Sequence, residues 1–344
     1  MLIHIFSASP HHYLPMRKFC IDAAKGIEQQ FWVPGEGLGS KAGFREYGTN
    51  RELLDMLRNC NDSARFVFHG LFDPNLIRNL MGFRRLADSV CIIWGAELYR
   101  YNTKLSLKGR INRFIHSLVL KKFHHVYSLN HGDAKLLERF LGVKKSKVLP
   151  YPLIDFSYCN QKALTSSRLK IVVGNSGAPS NNHIAIFEKL ALVKGLKCEL
   201  IVPLNYGGDA DYIEKVIQIG KLLFAERFKP IINMLHKQHY DELLSSADML
   251  IFAHDRQQGL YAVYAMLMMG KPIFLNSHTT SYKALKEIGF NLFDFTDLDS
   301  FSFNMLNELA QRTDEENQRL MSENFTEQAL LPKWNKMFME LAGK

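Results

Sequence analysis

Short runs of β-branched and aromatic residues recur along this chain, each closed by a small or polar residue and followed by a stretch of helical periodicity. In the first half they are LIHIFS from Leu2, RFVFHG at 65–70, VCIIWG at 90–95 and HVYSLN at 125–130. In the second half they are IVVGNS from Ile171, CELIVP at 198–203, PIINM at 230–234, MLIFAH at 249–254 and PIFLN at 272–276. Such continuous apolar strands need cover on both faces, and the helices between them supply it. The rhythm therefore predicts an α/β chain of parallel-sheet units, arranged as two Rossmann-like domains facing each other across a cleft.

A length of 344 residues suits two cores better than one. Between the halves, YPLIDFSYCNQKALTSSR (151–168) loses periodicity and ends in a Ser/Thr-rich stretch. The expected division is a first domain over 1–152, a linker over 153–168, a second domain over 169–312, and a helical tail over 313–344 that crosses back to the first domain. Five cysteines, Cys20, Cys60, Cys91, Cys159 and Cys198, show no CxxC pair or metal-ligand spacing and read as reduced cytosolic thiols. The opening MLIHIFSASP lacks a basic flank and a long apolar core, so it reads as a first strand and not a signal peptide. No run of about 18 apolar residues occurs, so any membrane contact is expected to be peripheral.

Charge is divided unevenly. Residues 1–168 carry 25 Lys and Arg against 13 Asp and Glu, a balance of +12, whereas residues 169–344 carry 18 against 21, or −3. From Leu98 to Gly132 there is no acid, while Arg100, Lys104, Lys108, Arg110, Arg113, Lys121 and Lys122 punctuate an apolar series that includes Leu107, Ile111 and Phe114. A basic amphipathic helix of this kind suits anionic lipid; its apolar stripe equally suits an ordinary core helix. Nucleic acid is not expected as a partner, because interleaved stacking aromatics and a recognition motif are missing.

In open parallel sheets, ligands sit where strands end and helices begin. In the second half one strand closes in Gly174, Asn175, Ser176 and Gly177, followed by Asn181 and a helix from about His183. Glycines let an anion approach the backbone, and a helix N-terminus offers unpaired N–H groups. A second strand end, IVPLNYGG, places Tyr206 to stack on a base or ribose. A third brings Arg256, Gln257, Gln258 and Gly259. With neither GxxxxGK[ST] nor GxGxxG present, three such ends suggest a nucleotide-sugar site.

The first half carries side chains capable of proton transfer at its strand ends: His11 and His12, His69, and Glu97. Glycosyl transfer needs a base for the acceptor hydroxyl, or a group that stabilises the developing cation and departing diphosphate. Glu97 is the first choice for the base, His12 or His11 its competitor, and His69 is expected to orient substrate. DFTDLD (294–299) reads as an acidic turn and not as a DxD clamp, so no metal or other cofactor is expected.

In order along the chain, FHG, WGAELY, VGNSG with SNNHI, VPLNYGG, YIEKV and RQQGLYAVYAMLMMGKPIFLN resemble the Fuc4NAc (4-acetamido-4,6-dideoxy-galactose) transferase family, glycosyltransferase family 56. The resemblance implies a GT-B fold, a dTDP-activated deoxyamino sugar as donor, and an undecaprenyl-diphosphate-linked saccharide as acceptor. It also implies work at the cytoplasmic face of the bacterial inner membrane, in enterobacterial common antigen or O-antigen assembly. Three rivals remain at this point: a transferase of the same fold for another nucleotide sugar or lipid-linked acceptor in O-antigen synthesis, a nucleotide-sugar epimerase of the same architecture, and a nucleotide-binding module without catalysis.

Overall fold

The computed structural model describes residues 1–35, 43–157 and 168–343, without the side chain of His11. Most of the expected linker therefore lies outside the described residues, as does the His11 imidazole. The first sheet contains β1 (Leu2–Phe6), β2 (Gln29–Pro34), β3 (Arg45–Tyr47), β4 (Arg65–His69), β5 (Ser89–Ile92), β6 (His125–Ser128) and β7 (Lys147–Val148), in the order β3-β2-β1-β4-β5-β6-β7. The second contains β8 (Leu169–Val173), β9 (Cys198–Pro203), β10 (Phe228–Ile231), β11 (Met249–Phe252), β12 (Ile273–Leu275) and β13 (Phe293–Asp294), in the order β10-β9-β8-β11-β12-β13. All the strand pairs described are parallel.

The strands read from apolar runs are present; β2, which none of the expected runs covered, and the shorter edge strands β3, β7 and β13 join them. The expected strand PIINM is shifted: β10 ends at Ile231, and Ile232 and Met234 are exposed in the loop beyond it. β10 is an edge strand, where Pro230 is tolerated because no second neighbour needs its missing N–H. DFTDLD closes into a 3-10 turn, with Asp294 and Asp297 forming a capping box.

The chain divides into one unit of Met1–Ile154 with Glu327–Lys344, and another of Asp155–Thr326. The tail is thus split. The helix Glu315–Asn324 packs on the helix Leu260–Met268 in the second unit, while Glu327–Ala342 returns to the first and packs on Pro10–Ala23. That returning helix buries Leu330, Trp334, Met337, Phe338 and Leu341. Each unit has its own core, around Ile5, Phe66, Phe68 and Ile93 in the first and Ile171, Phe187, Leu200 and Phe274 in the second.

In each sheet the chain runs outward from a central strand, returns, and continues on the other side. These reversals fall between β1 and β4 and between β8 and β11, and they leave a crevice at the carboxyl ends of the strands. The register pairs Phe6 with His69 and His69 with Ile92 in the first sheet, and Val173 with Ile251 in the second, which brings the marked strand ends level.

Candidate active site

In the second unit, Gly174 leaves β8 with φ +69, and a Cβ there would lie 2.4 Å from His183 Nε2. Glycine is therefore required on both conformational and steric grounds. The backbone N–H of Asn175 donates to Asn181 Oδ1 at 2.8 Å, and Asn181 Nδ2 donates to Ser176 Oγ at 3.0 Å and to the Ala178 carbonyl at 3.0 Å. His254 Nε2 is also 2.9 Å from Asn181 Oδ1. Asn181 is fully buried and its amide fully used, so it is a strut of the loop and not the ligand contact expected from sequence.

The loop after β11 is tied to the same network. Gln258 Nε2 donates to Asn175 Oδ1 at 3.2 Å, Ser180 Oγ donates to Gln258 Oε1 at 2.9 Å, and Asn175 Nδ2 donates to the Tyr206 hydroxyl at 2.7 Å. Gly259 adopts φ +67 against Phe252 and Asn175, and as N-cap of Leu260–Met268 it leaves that helix end without a side-chain cap. Gln257 is buried and Arg256 half-buried. The three expected strand ends are therefore one hydrogen-bonded platform, with Tyr206 as its exposed ring and an uncapped helix N-terminus beside it. Such an end attracts anions. Burial pushes His183 down to about 4 and His254 to about 3, so this platform is built on neutral imidazoles.

In the first unit, Glu97 sits in the short helix Ala96–Tyr99, entered through Gly95 at φ 101. Its Oε1 accepts from the backbone N–H of Leu71 at 3.1 Å and of Trp94 at 3.2 Å, while Oε2 is buried without a hydrogen-bond partner. Burial pushes its pKa up. The side chain is 0% exposed, which corrects the expectation that it receives the acceptor proton directly: it clamps two strand ends together. His12, in the first turn of Pro10–Ala23, is exposed, and its ring meets the edge of Trp94 at 5.5 Å.

His69 is likewise fully buried, bonded to His4 and Tyr151 and stacked on Trp334. It cannot touch substrate in this arrangement, contrary to the orienting role read from sequence. Sequence reasoning passed over His4, Phe72 and Tyr151, and met Trp94 only as part of a motif. The usable signal was position, since Trp94 follows a strand and Tyr151 closely follows β7.

The basic segment forms the helix Leu107–Leu120. His116, Val119 and Leu120 face inward, but Leu107, Ile111 and Phe114 are exposed at spacings of four and three, along one stripe. Lys104, Lys108, Arg110, Lys121 and Lys122 are exposed around it, and Arg113 is half-buried. Among the described residues no helix is long and apolar enough to cross a membrane.

Residues 47–340 match the family described as 4-alpha-L-fucosyltransferase, glycosyl transferase group 56. Among solved structures, the sucrose-phosphate synthase of Thermosynechococcus elongatus superposes with a TM-score of 0.77 at 10% identity, over 100% of this chain and 99% of that one. Anabaena Alr3699/HepE, solved with UDP and glucose, gives 0.73 at 11% identity over 100% and 99%. WaaG, a glycosyltransferase of lipopolysaccharide biosynthesis, gives 0.70 at 13% identity over 100% of both chains. At these identities the likeness is one of fold, the GT-B fold. The family match spans most of the chain and agrees with the motif order, so the protein belongs to glycosyl transferase group 56 and is a glycosyltransferase.

Proposed function

We propose that the protein transfers a 4,6-dideoxy-amino sugar, Fuc4NAc, from its dTDP donor to an undecaprenyl-diphosphate-linked saccharide, without a metal ion, while resting on the cytoplasmic face of the inner membrane. The observation that carries the donor assignment is the acid-free entry to the helix Leu260–Met268. From Arg256 to Ala265 no carboxylate is available to grip ribose hydroxyls, and Asp255, just before, is held by Asn182 Nδ2 at 2.7 Å. A deoxyribonucleotide, lacking the 2′-hydroxyl, loses nothing there.

The glycine-bearing loops and the uncapped helix end would receive the diphosphate, with Arg256 adding charge. Tyr206, fixed by Asn175, would carry the base. Exposed Ile232 and Met234 on the neighbouring loop suit the thymine methyl. In the first unit exposed His12 takes the acceptor proton, and Glu97 holds the Leu71 and Trp94 backbones in place. The basic, apolar-striped helix supports the membrane location.

The test is transfer from dTDP-Fuc4NAc to an undecaprenyl-diphosphate-linked disaccharide in the presence of a chelator, with products read by mass spectrometry. A lipid-linked product longer by one sugar is expected. Donor interconversion without acceptor would instead mark an epimerase, and nucleotide binding without either reaction would mark a non-catalytic module.

A further inference from the structure

A chain of buried side chains runs through the first unit, and its proton order can be deduced atom by atom. Gln29 Nε2 lies 3.1 Å from the Cys20 carbonyl and 3.5 Å from that of Ala24, which fixes the amide, because carbonyls only accept. Gln29 Oε1 therefore faces His4 Nε2 at 3.0 Å, so His4 carries its proton on Nε2. The neutral ring then accepts at Nδ1 from His69 Nε2–H at 3.0 Å. His69 Nδ1 in turn accepts from the Tyr151 hydroxyl at 2.6 Å, and the Tyr151 oxygen accepts from Trp94 Nε1–H at 2.9 Å. Burial holds His4 down to about 3 and His69 well below the ordinary histidine value, which agrees with two neutral rings.

Every imidazole nitrogen is thereby used. Cys20 Sγ lies within 4.8 Å of a ring nitrogen of His4 and of His69, yet neither ring has a lone pair to give a metal without breaking the chain. The returning C-terminal helix braces it: Trp334 lies parallel to His69 at 6.2 Å, and its Nε1 donates to the Pro150 carbonyl at 3.0 Å, next to Tyr151. The chain reaches the strand end at Trp94, which is half-buried, with exposed His12 at 5.5 Å and Phe72 at 5.6 Å. An indole held by its N–H beside two other rings is a rigid apolar face of the type that packs against the C–H face of a pyranose.

We infer that Trp94 is the stacking platform for the terminal pyranose of the acceptor glycan, and that Tyr151, ordered through His69 and His4, is the positioning residue that fixes its plane. The inference rests on the transferase reading above and names the acceptor contact within it. Tyr151→Phe removes both hydrogen bonds of the hydroxyl while keeping the ring. The expected result is a folded protein with dTDP affinity within twofold of wild type, a KM for acceptor raised about tenfold, and kcat changed less than threefold. In a Trp94→Phe background, adding Tyr151→Phe is expected to change acceptor KM by less than twofold, since Tyr151 acts through the indole N–H. Should Tyr151→Phe fail to fold, Trp94→Phe alone breaks the same bond from the other side, and the same rise in acceptor KM is expected.

Nitrogen-15 spectra of wild type provide a readout independent of transfer: His4 and His69 should both be neutral Nε2–H tautomers, with the order at His69 lost in Tyr151→Phe. An Nδ1–H tautomer or a cation at either histidine overturns the relay, and an unchanged acceptor KM in folded Tyr151→Phe overturns the platform. Absence of transfer by wild type, with the tautomers as stated, counts against the transferase reading and the platform together while leaving the relay standing.

Discussion

Removing charge from the helix Leu107–Leu120 and the segment that leads into it is expected to detach the protein from lipid without unfolding it. Lys104, Lys108 and Arg110 are exposed, and replacing all three with Gln removes about 1 kcal/mol each of attraction to an anionic surface. That is about 3 kcal/mol in total, a loss of roughly 150-fold in partitioning. The apolar stripe adds its own share. Leu107, Ile111 and Phe114 are 74%, 50% and 64% exposed, and covering what remains at about 2 kcal/mol per fully buried side chain stabilises docking by at most about 4 kcal/mol. The assay is flotation with vesicles rich in anionic phospholipid, at low salt and at about 150 mM, where screening shortens the reach of each charge to about 8 Å. The triple variant should remain in the bottom fraction while its thermal melt stays that of wild type, and Phe114→Ser should weaken flotation at both salt concentrations. Flotation unchanged in the triple variant would refute the lipid-facing assignment of this helix.

Other outcomes follow from the two site platforms. Gly174→Ala places a Cβ 2.4 Å from His183 Nε2 at positive φ, with both neighbours buried; a loss of roughly 2–4 kcal/mol is expected in denaturant unfolding of the second unit. His12→Ala should lower kcat by at least about 100-fold if this imidazole takes the acceptor proton, whereas Glu97→Gln, which keeps the Oε1 acceptor for Leu71 and Trp94, should retain most activity. Acid should destabilise the fold early. His4, His116 and His254 are held at about 3 and His183 at about 4, below the 6.5 of an ordinary histidine, so the unfolded chain takes up protons first as pH falls. Stability is full above pH 6.5 and is lost below it by about 1.4 kcal/mol per histidine per pH unit. Melts at pH 7.5 and 5.5 should therefore differ by several degrees, and coincident melts would show that these rings are not neutral and buried.

What the sequence disclosed depended on the range of the interactions. Apolar strands such as IVVGNS and MLIFAH announce themselves because burial on both faces demands continuous hydrophobicity, and the residues that close them mark the crevice. Strands β3 and β7 have three and two residues, too few for a periodic signal. The strand-end loops of the second unit read as polar and glycine-bearing, but Asn181 and Asn175 differ in use only because His254, Tyr206 and Gln258 reach them from distant strand ends. The relay was illegible for the same reason: His4 and His69 are 65 residues apart, and His69 and Tyr151 are 82 apart. Burial sets Glu97 apart from exposed His12, a difference the sequence hides because a strand-end glutamate reads the same whether it faces solvent or clamps two backbones. The stripe of Leu107, Ile111 and Phe114 likewise suits lipid and core equally until the helix is seen to bury its opposite side.

The donor claim is tested most directly by titration calorimetry of the full chain with dTDP, UDP and GDP in chelator. Binding of dTDP is expected with micromolar or better affinity, about 8 kcal/mol or more at a 1 M standard state, and more tightly than that of either ribonucleotide. Tight binding of UDP or GDP with no measurable binding of dTDP would contradict it.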